Sequence, residues 1–138
     1  MASAFNKFQS FVAAVHNGSH NLSTAQLVVA LCNSSNAPVA TNTQLSNLTT
    51  IAYTNLSSRN VTTTSSTQSS GTYKLVCQDL LLTASGNVAT FRYVVLYDDS
   101  STNDLLISWW DYGSDVSLAN TETFNIDFDQ SNGVFSTT

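Results

Sequence analysis

The stretch Leu105-Leu-Ile-Ser-Trp-Trp-Asp-Tyr-Gly113, LLISWWDYG, holds both tryptophans of the chain side by side. Read as a strand, it sends successive side chains to opposite faces of a sheet, so Trp109 and Trp110 cannot share a side. Strict alternation groups Trp109 with Leu105 on one face and Trp110 with Leu106 on the other. Both faces are then apolar and both need a cover. One cover is an opposing sheet, and the other is an N-terminal helix, a loop or another subunit.

The flanking sequence supplies more strands. Asp98–Asp104 is a polar loop before the tryptophan strand, and Gly113–Asn120 is a loop after it. Thr121–Asp129 alternates, with Phe124, Ile126 and Phe128 on one face, and Ser131-Asn-Gly133 turns the chain into Val134–Ser136. Upstream, the apolar segments Tyr73–Thr83 and Val88–Tyr97 flank Ser85-Gly86-Asn87, and this spacing predicts a hairpin. Gln26–Cys32 and Thr49–Tyr53 have strand length, while Asn55–Gly71 reads as an exposed strand and a Ser/Thr-rich hairpin tip.

Only the start breaks this pattern. Phe5, Phe8, Val12 and Val15, with Phe11 beside them, recur at helical spacing. Ser3 is the expected N-cap and Asn17-Gly18 the stop. The fold class is therefore mainly β: an antiparallel β-sandwich or jelly-roll-like barrel with one N-terminal α-helix. Residues 1–18 form the amphipathic helix and residues 19–138 a single β-sandwich domain, with no repeat or linker in view.

Composition narrows function. Of 138 residues only 9 % are charged and one is Pro, while 42 % are hydrophobic, so the chain is no disordered segment. The net charge of -5 sets four bases (Lys7, Arg59, Lys74, Arg92) against acids that begin only at Asp79. No basic stripe is available for phosphates, which argues against nucleic acid and against an anionic membrane as partners. The opening residues lack a basic region followed by an apolar core, so no secretory signal is expected, and no apolar run reaches bilayer length. Six Asn-x-Ser/Thr triplets, at Asn17, Asn21, Asn33, Asn47, Asn55 and Asn60, follow from the amide- and hydroxyl-rich composition.

No residue pattern carries chemistry. Cys32 and Cys77 sit in apolar runs and read as small buried hydrophobes, with a disulfide open to them only if their strands are neighbours. Gly18 between His16 and His20 breaks the helix that would align them as zinc ligands. No Gly-x-Ser-x-Gly elbow occurs. Asp98, Asp99, Asp104, Asp111 and Asp115 read as solvated or capping acids, with calcium ligation as the alternative. The expectation is a protein that is not an enzyme, without catalytic, cofactor-binding or metal-binding residues and without a cofactor. Trp109 or Trp110, together with Asp111 and Tyr112, also suits the stacking and hydroxyl recognition of a sugar.

Taken in order, the Phe-rich helix ending His-Asn-x-x-His-Asn-Leu, the segment Ala37-Pro38-Val39-Ala40-Thr41-Asn42-Thr43, Arg92-Tyr93-Val94-Val95-Leu96-Tyr97, the Trp110-Asp111-Tyr112-Gly113 turn and Phe124-x-Ile126-x-Phe128 before an Asn-Gly turn form one pattern. It resembles a family of small virion proteins of tailed bacteriophages. The resemblance is one of strands and carries over no functional residue. It implies a structural virion component, most like a capsid decoration or cement protein. Such a protein is made in the host bacterial cytoplasm and bound to the outer surface of the head. Its implied partners are the major capsid protein and further copies of itself, as a dimer or trimer. The candidate interface residues are Phe5, Phe8, Phe11, Trp109, Trp110 and Tyr112. A carbohydrate-binding adsorption module and a tail or head-fibre component are the alternatives.

Overall fold

In the computed structural model, which describes residues 3–138, the tryptophans lie on a twelve-residue strand one place from the edge of the largest sheet. The elements in chain order are β1 (Asn6–Lys7), α1 (Gln9–His16), β2 (Leu27–Cys32), a 3₁₀ turn (Leu45–Asn47), β3 (Asn60–Val61), β4 (Thr63–Ser69), β5 (Thr72–Cys77), β6 (Leu80–Thr83), β7 (Phe91–Asp98), β8 (Leu105–Val116), β9 (Thr123–Ile126) and β10 (Phe135–Thr137). They form three sheets with strand orders β1-β8-β7-β2-β3, β10-β5-β4 and β6-β9, and every pairing is antiparallel. The fold is mainly β with one helix. Its sheets stack in layers and do not close into a barrel.

Strand β2 explains the layering. All six of its residues are buried, and alternation divides them: Leu27, Val29 and Leu31 enter one apolar cluster, while Val28, Ala30 and Cys32 enter a second. Val94 and Leu96 of β7 follow the first set, and Val95 and Tyr97 the second. The larger cluster is closed by the two smaller sheets through Leu75, Cys77, Leu82 and Ile126. The smaller one is closed by Phe8 with Leu45 and Leu48 of the long loop after β2. That loop is tied down by the backbone bonds Gln9 N–H to Ala40 O (2.9 Å), Leu45 N–H to Asp104 O (3.0 Å) and Leu106 N–H to Thr43 O (3.1 Å). Each fully buried Leu or Phe contributes about 1.5–3 kcal/mol, so a strand buried on both faces needs both covers to be stable.

The expected grouping of Trp109 with Leu105 and Trp110 with Leu106 is overturned. Leu106 lies with Trp109 in the smaller cluster, and Ile107 with Trp110 in the larger. Leu96 pairs with Ser108 but its neighbour Tyr97 pairs with Leu106, so Ile107 is an extra residue in β8. This β-bulge reverses the parity of everything before it, which a period-two reading cannot register. The strand also continues through Gly113, whose φ of 94° carries it on to Val116 where a loop was expected.

The expected hairpin between Tyr73–Thr83 and Val88–Tyr97 does not form. The first segment splits at Gln78-Asp79 into β5 and β6, which belong to different sheets, and β7 pairs with β2 and β8 instead. Asp79 marks the break: its Oδ1 accepts the Phe128 N–H at 3.0 Å, holding the chain where it crosses between sheets. The Ser/Thr-rich segment does form a hairpin, β4–β5, whose tip Ser70-Gly71 has φ values of 50° and 83°, the positive pair a tight turn requires. Thr49–Tyr53 is no strand. Its one backbone bond to a strand is Ile51 N–H to Leu31 O, and the Tyr53 hydroxyl accepts the Leu31 N–H.

The helix is shorter than residues 1–18. It begins at Gln9 with Phe8, not Ser3, as N-cap, and it ends as expected at Asn17-Gly18, where Gly18 has φ 80°. The preceding residues are taken by β8: Asn6 pairs with Trp109 and Lys7 with Ser108, which satisfies the edge of the main sheet. Met1 and Ala2, the start of the expected helix, lie outside the described residues. The two cysteines are free and belong to different clusters, Cys32 on one face of the main sheet and Cys77 on the other, so no disulfide joins them.

Candidate interaction surface around the N-terminal segment

Because β1 runs along the edge of the main sheet, its flanking phenylalanines fall on opposite sides. Phe8 covers Trp109 with ring centroids 4.6 Å apart, and Phe5 meets Trp110 edge-on at 5.8 Å. Phe8 is fully buried and Phe11 nearly so, which withdraws both from the expected interface and makes them core residues. Trp109 and Trp110 are half-buried, each under a phenylalanine. Phe5 and Tyr112 are exposed, at 37 % and 52 %.

The helix turns a different face inward from the one its spacing suggests. Phe11 and Ala14 point to the core, while Val12 and Val15 are exposed at 43 % and 41 %. Entry from a strand rather than from a free cap sets this rotation, because the Lys7 pairing fixes the direction in which Gln9 leaves the sheet. Between α1 and β10 runs a groove of about 1150 Å³, lined by Phe5, Val12, Val15, Tyr73 and Phe135 among others. Phe135 lies at its centre, 6.0 Å from Phe5, 5.4 Å from Phe11 and 5.9 Å from Tyr73. Exposed apolar side chains on one rim of such a groove mark a contact surface better than scattered ones do.

One pair of residues escapes sequence reasoning. His20, which also lines the groove, is buried and its Nδ1 donates to Asp98 Oδ2 at 2.8 Å, while the other oxygen of Asp98 accepts the Ser100 N–H at 2.9 Å. A carboxylate can only accept, so Nδ1 carries the proton of this bond and the ring is held in one orientation. Nε2 is buried without a hydrogen-bond partner among the described residues, and the ring packs 5.3 Å from that of Phe11. Nothing local signals this pairing, since 78 positions separate the two residues.

The residues expected to form a sugar site are divided. Asp111 is taken by Arg92 in a two-pronged pair, Nε to Oδ1 at 2.8 Å and Nη2 to Oδ2 at 3.1 Å, and it also accepts the Gly113 N–H. Arg92 holds the Asp111 carboxyl below the usual carboxylate range. Trp110 and Tyr112 lie elsewhere, beside β9, in a cleft of about 460 Å³ with Phe124, Asn125 and Asp127. Tyr112 packs edge-on against Phe124 at 5.2 Å. The acids of the Asp98–Asp104 loop do not act together, because Asp98 is turned inward to His20. Among the described residues no three His, Cys, Asp or Glu side chains gather as for a metal ion. Among the described residues no helix is long and apolar enough to cross a membrane. Compared with protein-family models, with curated proteins and with solved structures, the chain finds no match.

Proposed function

We propose that the chain is a non-enzymatic structural component of a tailed-bacteriophage virion, a decoration protein that docks on the outer head shell and stabilises it. The observation that carries this reading is the apolar groove between α1 and β10, with Phe5, Val12 and Val15 left exposed along its rim. A segment of the major capsid protein that lays apolar side chains into this groove would bury them together with that rim. The surrounding Ser, Thr and Asn side chains are short and lose little entropy on contact, which suits a surface used in many copies. The test compares particles with and without the protein under heat and osmotic shock. Decorated heads are expected to survive better, and equal survival would sink the cementing role.

A second reading rests on the cleft beside β9. Tyr112 offers an exposed ring there, with Asn125 and Asp127 available for hydroxyl groups, an arrangement suited to a saccharide. Binding of the isolated protein to a glycan array, lost in Tyr112→Ala, is the expected result under this reading. A silent array removes it.

A further inference from the structure

Every sheet ends in edge strands, and the edges are unequal. Those of the main sheet, β1 and β3, have two residues each, β10 has three, and β6 and β9 have four. Strand β4 has seven, lies at the edge of its sheet, and pairs only with β5. Natural proteins blunt a long edge with Lys, Pro, an inward charge or a bulge along its length, because unpaired N–H and C=O groups recruit another strand. β4 has none of the first three, and its irregularity lies at one end, between Thr63 and Ser65. Ser65–Ser69 is a regular, mostly exposed row that keeps one side for a partner.

The charge distribution says which partner fits. The chain carries nine acids and four bases, yet residues 60–73 contain none of either. In a molecule of net charge -5, a second copy aligned on Ser65–Ser69 faces no charged side chain of β4 and so meets no like-charge repulsion along this row. The row is also compatible with itself. In an antiparallel pairing about Thr67, Thr67 faces Thr67 of the other copy, Ser66 faces Gln68 and Ser65 faces Ser69. All of these pairs are neutral, and a Thr–Thr pair is favourable across strands.

We propose that β4 pairs antiparallel with β4 of a second copy, joining two three-stranded sheets into one of six strands around a two-fold axis. Directly opposed residues of an antiparallel pair lie on the same face of the sheet. Ser66 and Tyr73, which hydrogen-bond to each other at 2.8 Å, line the groove beside α1. The dimer therefore opens both grooves on one side. On the docking reading given above, such a dimer grips a shell at two points, and linked binding raises avidity without a new contact.

Ser65, Thr67 and Ser69 share the face away from that groove, so charges placed there leave it untouched. The full-length chain is expected to run as a dimer in native mass spectrometry. The triple variants Ser65→Lys, Thr67→Lys, Ser69→Lys and Ser65→Glu, Thr67→Glu, Ser69→Glu are each expected to run as monomers with unchanged far-UV circular dichroism. Mixing the two is expected to restore a dimer, because every like-charge pair becomes a Lys–Glu pair. A wild-type chain that stays monomeric up to its solubility limit overturns the proposal, and so does a variant that remains dimeric or a mixture that does not associate. Amide exchange on the wild-type chain gives a check free of mutation. β4 amides are expected to lose at least tenfold of their protection on dilution, and exchange independent of concentration overturns the pairing. Particle retention is scored separately, so a dimer that fails to bind heads refutes the docking reading and leaves the β4 pairing standing.

Discussion

The ring of Phe8 lies over the indole of Trp109 with 4.6 Å between centroids and 43° between planes. Three residues earlier, Phe5 closes on Trp110 from the other side of the sheet. A two-residue strand between them therefore works as a clip over the sheet edge.

Removing the buried half of that clip is expected to be costly. Phe8→Ala leaves a cavity at a fully buried site beside Trp109, and large-to-small changes of this kind cost about 3–5 kcal/mol. Urea unfolding followed by tryptophan fluorescence measures it. A loss under about 1 kcal/mol would mean that the N-terminal segment contributes little to the core. By contrast, Val12→Ser with Val15→Ser touches only exposed positions and is expected to stay within about 0.5 kcal/mol of wild type while weakening retention on particles.

His20 and Asp98 are expected to behave as one unit. Removing one partner of a buried hydrogen bond strands the other and costs about 1–3 kcal/mol, more where the stranded group is charged. Asp98→Ala and His20→Ala should each fall near that range, and the double variant should cost much less than their sum. A double-mutant cycle reads the coupling. Simple additivity would show the pair to be energetically inert.

The thiols respond to alkali. Burial pushes Cys32 up to about 11 from an ordinary 9.0, and it raises Cys77 as well. A group raised in the folded state contributes stability that is complete below its unfolded value and is lost as pH rises through the folded one. Stability is thus expected to fall between pH 9.0 and about 11, and Cys32→Ala should flatten that limb. Alkylation of either thiol near neutral pH is expected only after unfolding, which mass spectrometry of iodoacetamide-treated protein would show.

The acid limb has the opposite sign. Bonds from the Asn132 and Ser131 N–H groups and the Asn132 amide hold Asp129 below the usual carboxylate range, as Arg92 does for Asp111. Lowered groups contribute above their unfolded values and lose that contribution as pH falls through the folded ones. Asp129→Asn and Asp111→Asn should therefore flatten the decline in melting temperature below about pH 4. Asp129 is exposed and Asp111 only half-buried, so the effect will be modest and will shrink in high salt.

The fold class was legible because β2, β7 and β8 announce themselves through apolar content and β9 through alternation. What stayed hidden depended on distant partners. The bulge at Ile107 needs the register against β7, and the split of Tyr73–Thr83 needs Asp79 to meet the Phe128 backbone. The first residues carry a helical stripe, and only the unpaired edge of β8 makes them strand instead. The candidate surface was half legible. Phe5 and Tyr112 stand exposed, but Phe8 and Phe11 have the same chemistry and lie in the core. His20 and Asp98 gave no signal at all.

The clip at the sheet edge also bears on synthesis. Asn6 reaches Trp109 across 103 positions, so the segment that leaves the ribosome early has its place made only after nearly the whole β-rich body has been translated. Contacts of such separation form late and slow folding. Until β8 exists, Phe5 and Phe8 lack the tryptophans they pack on in the finished fold.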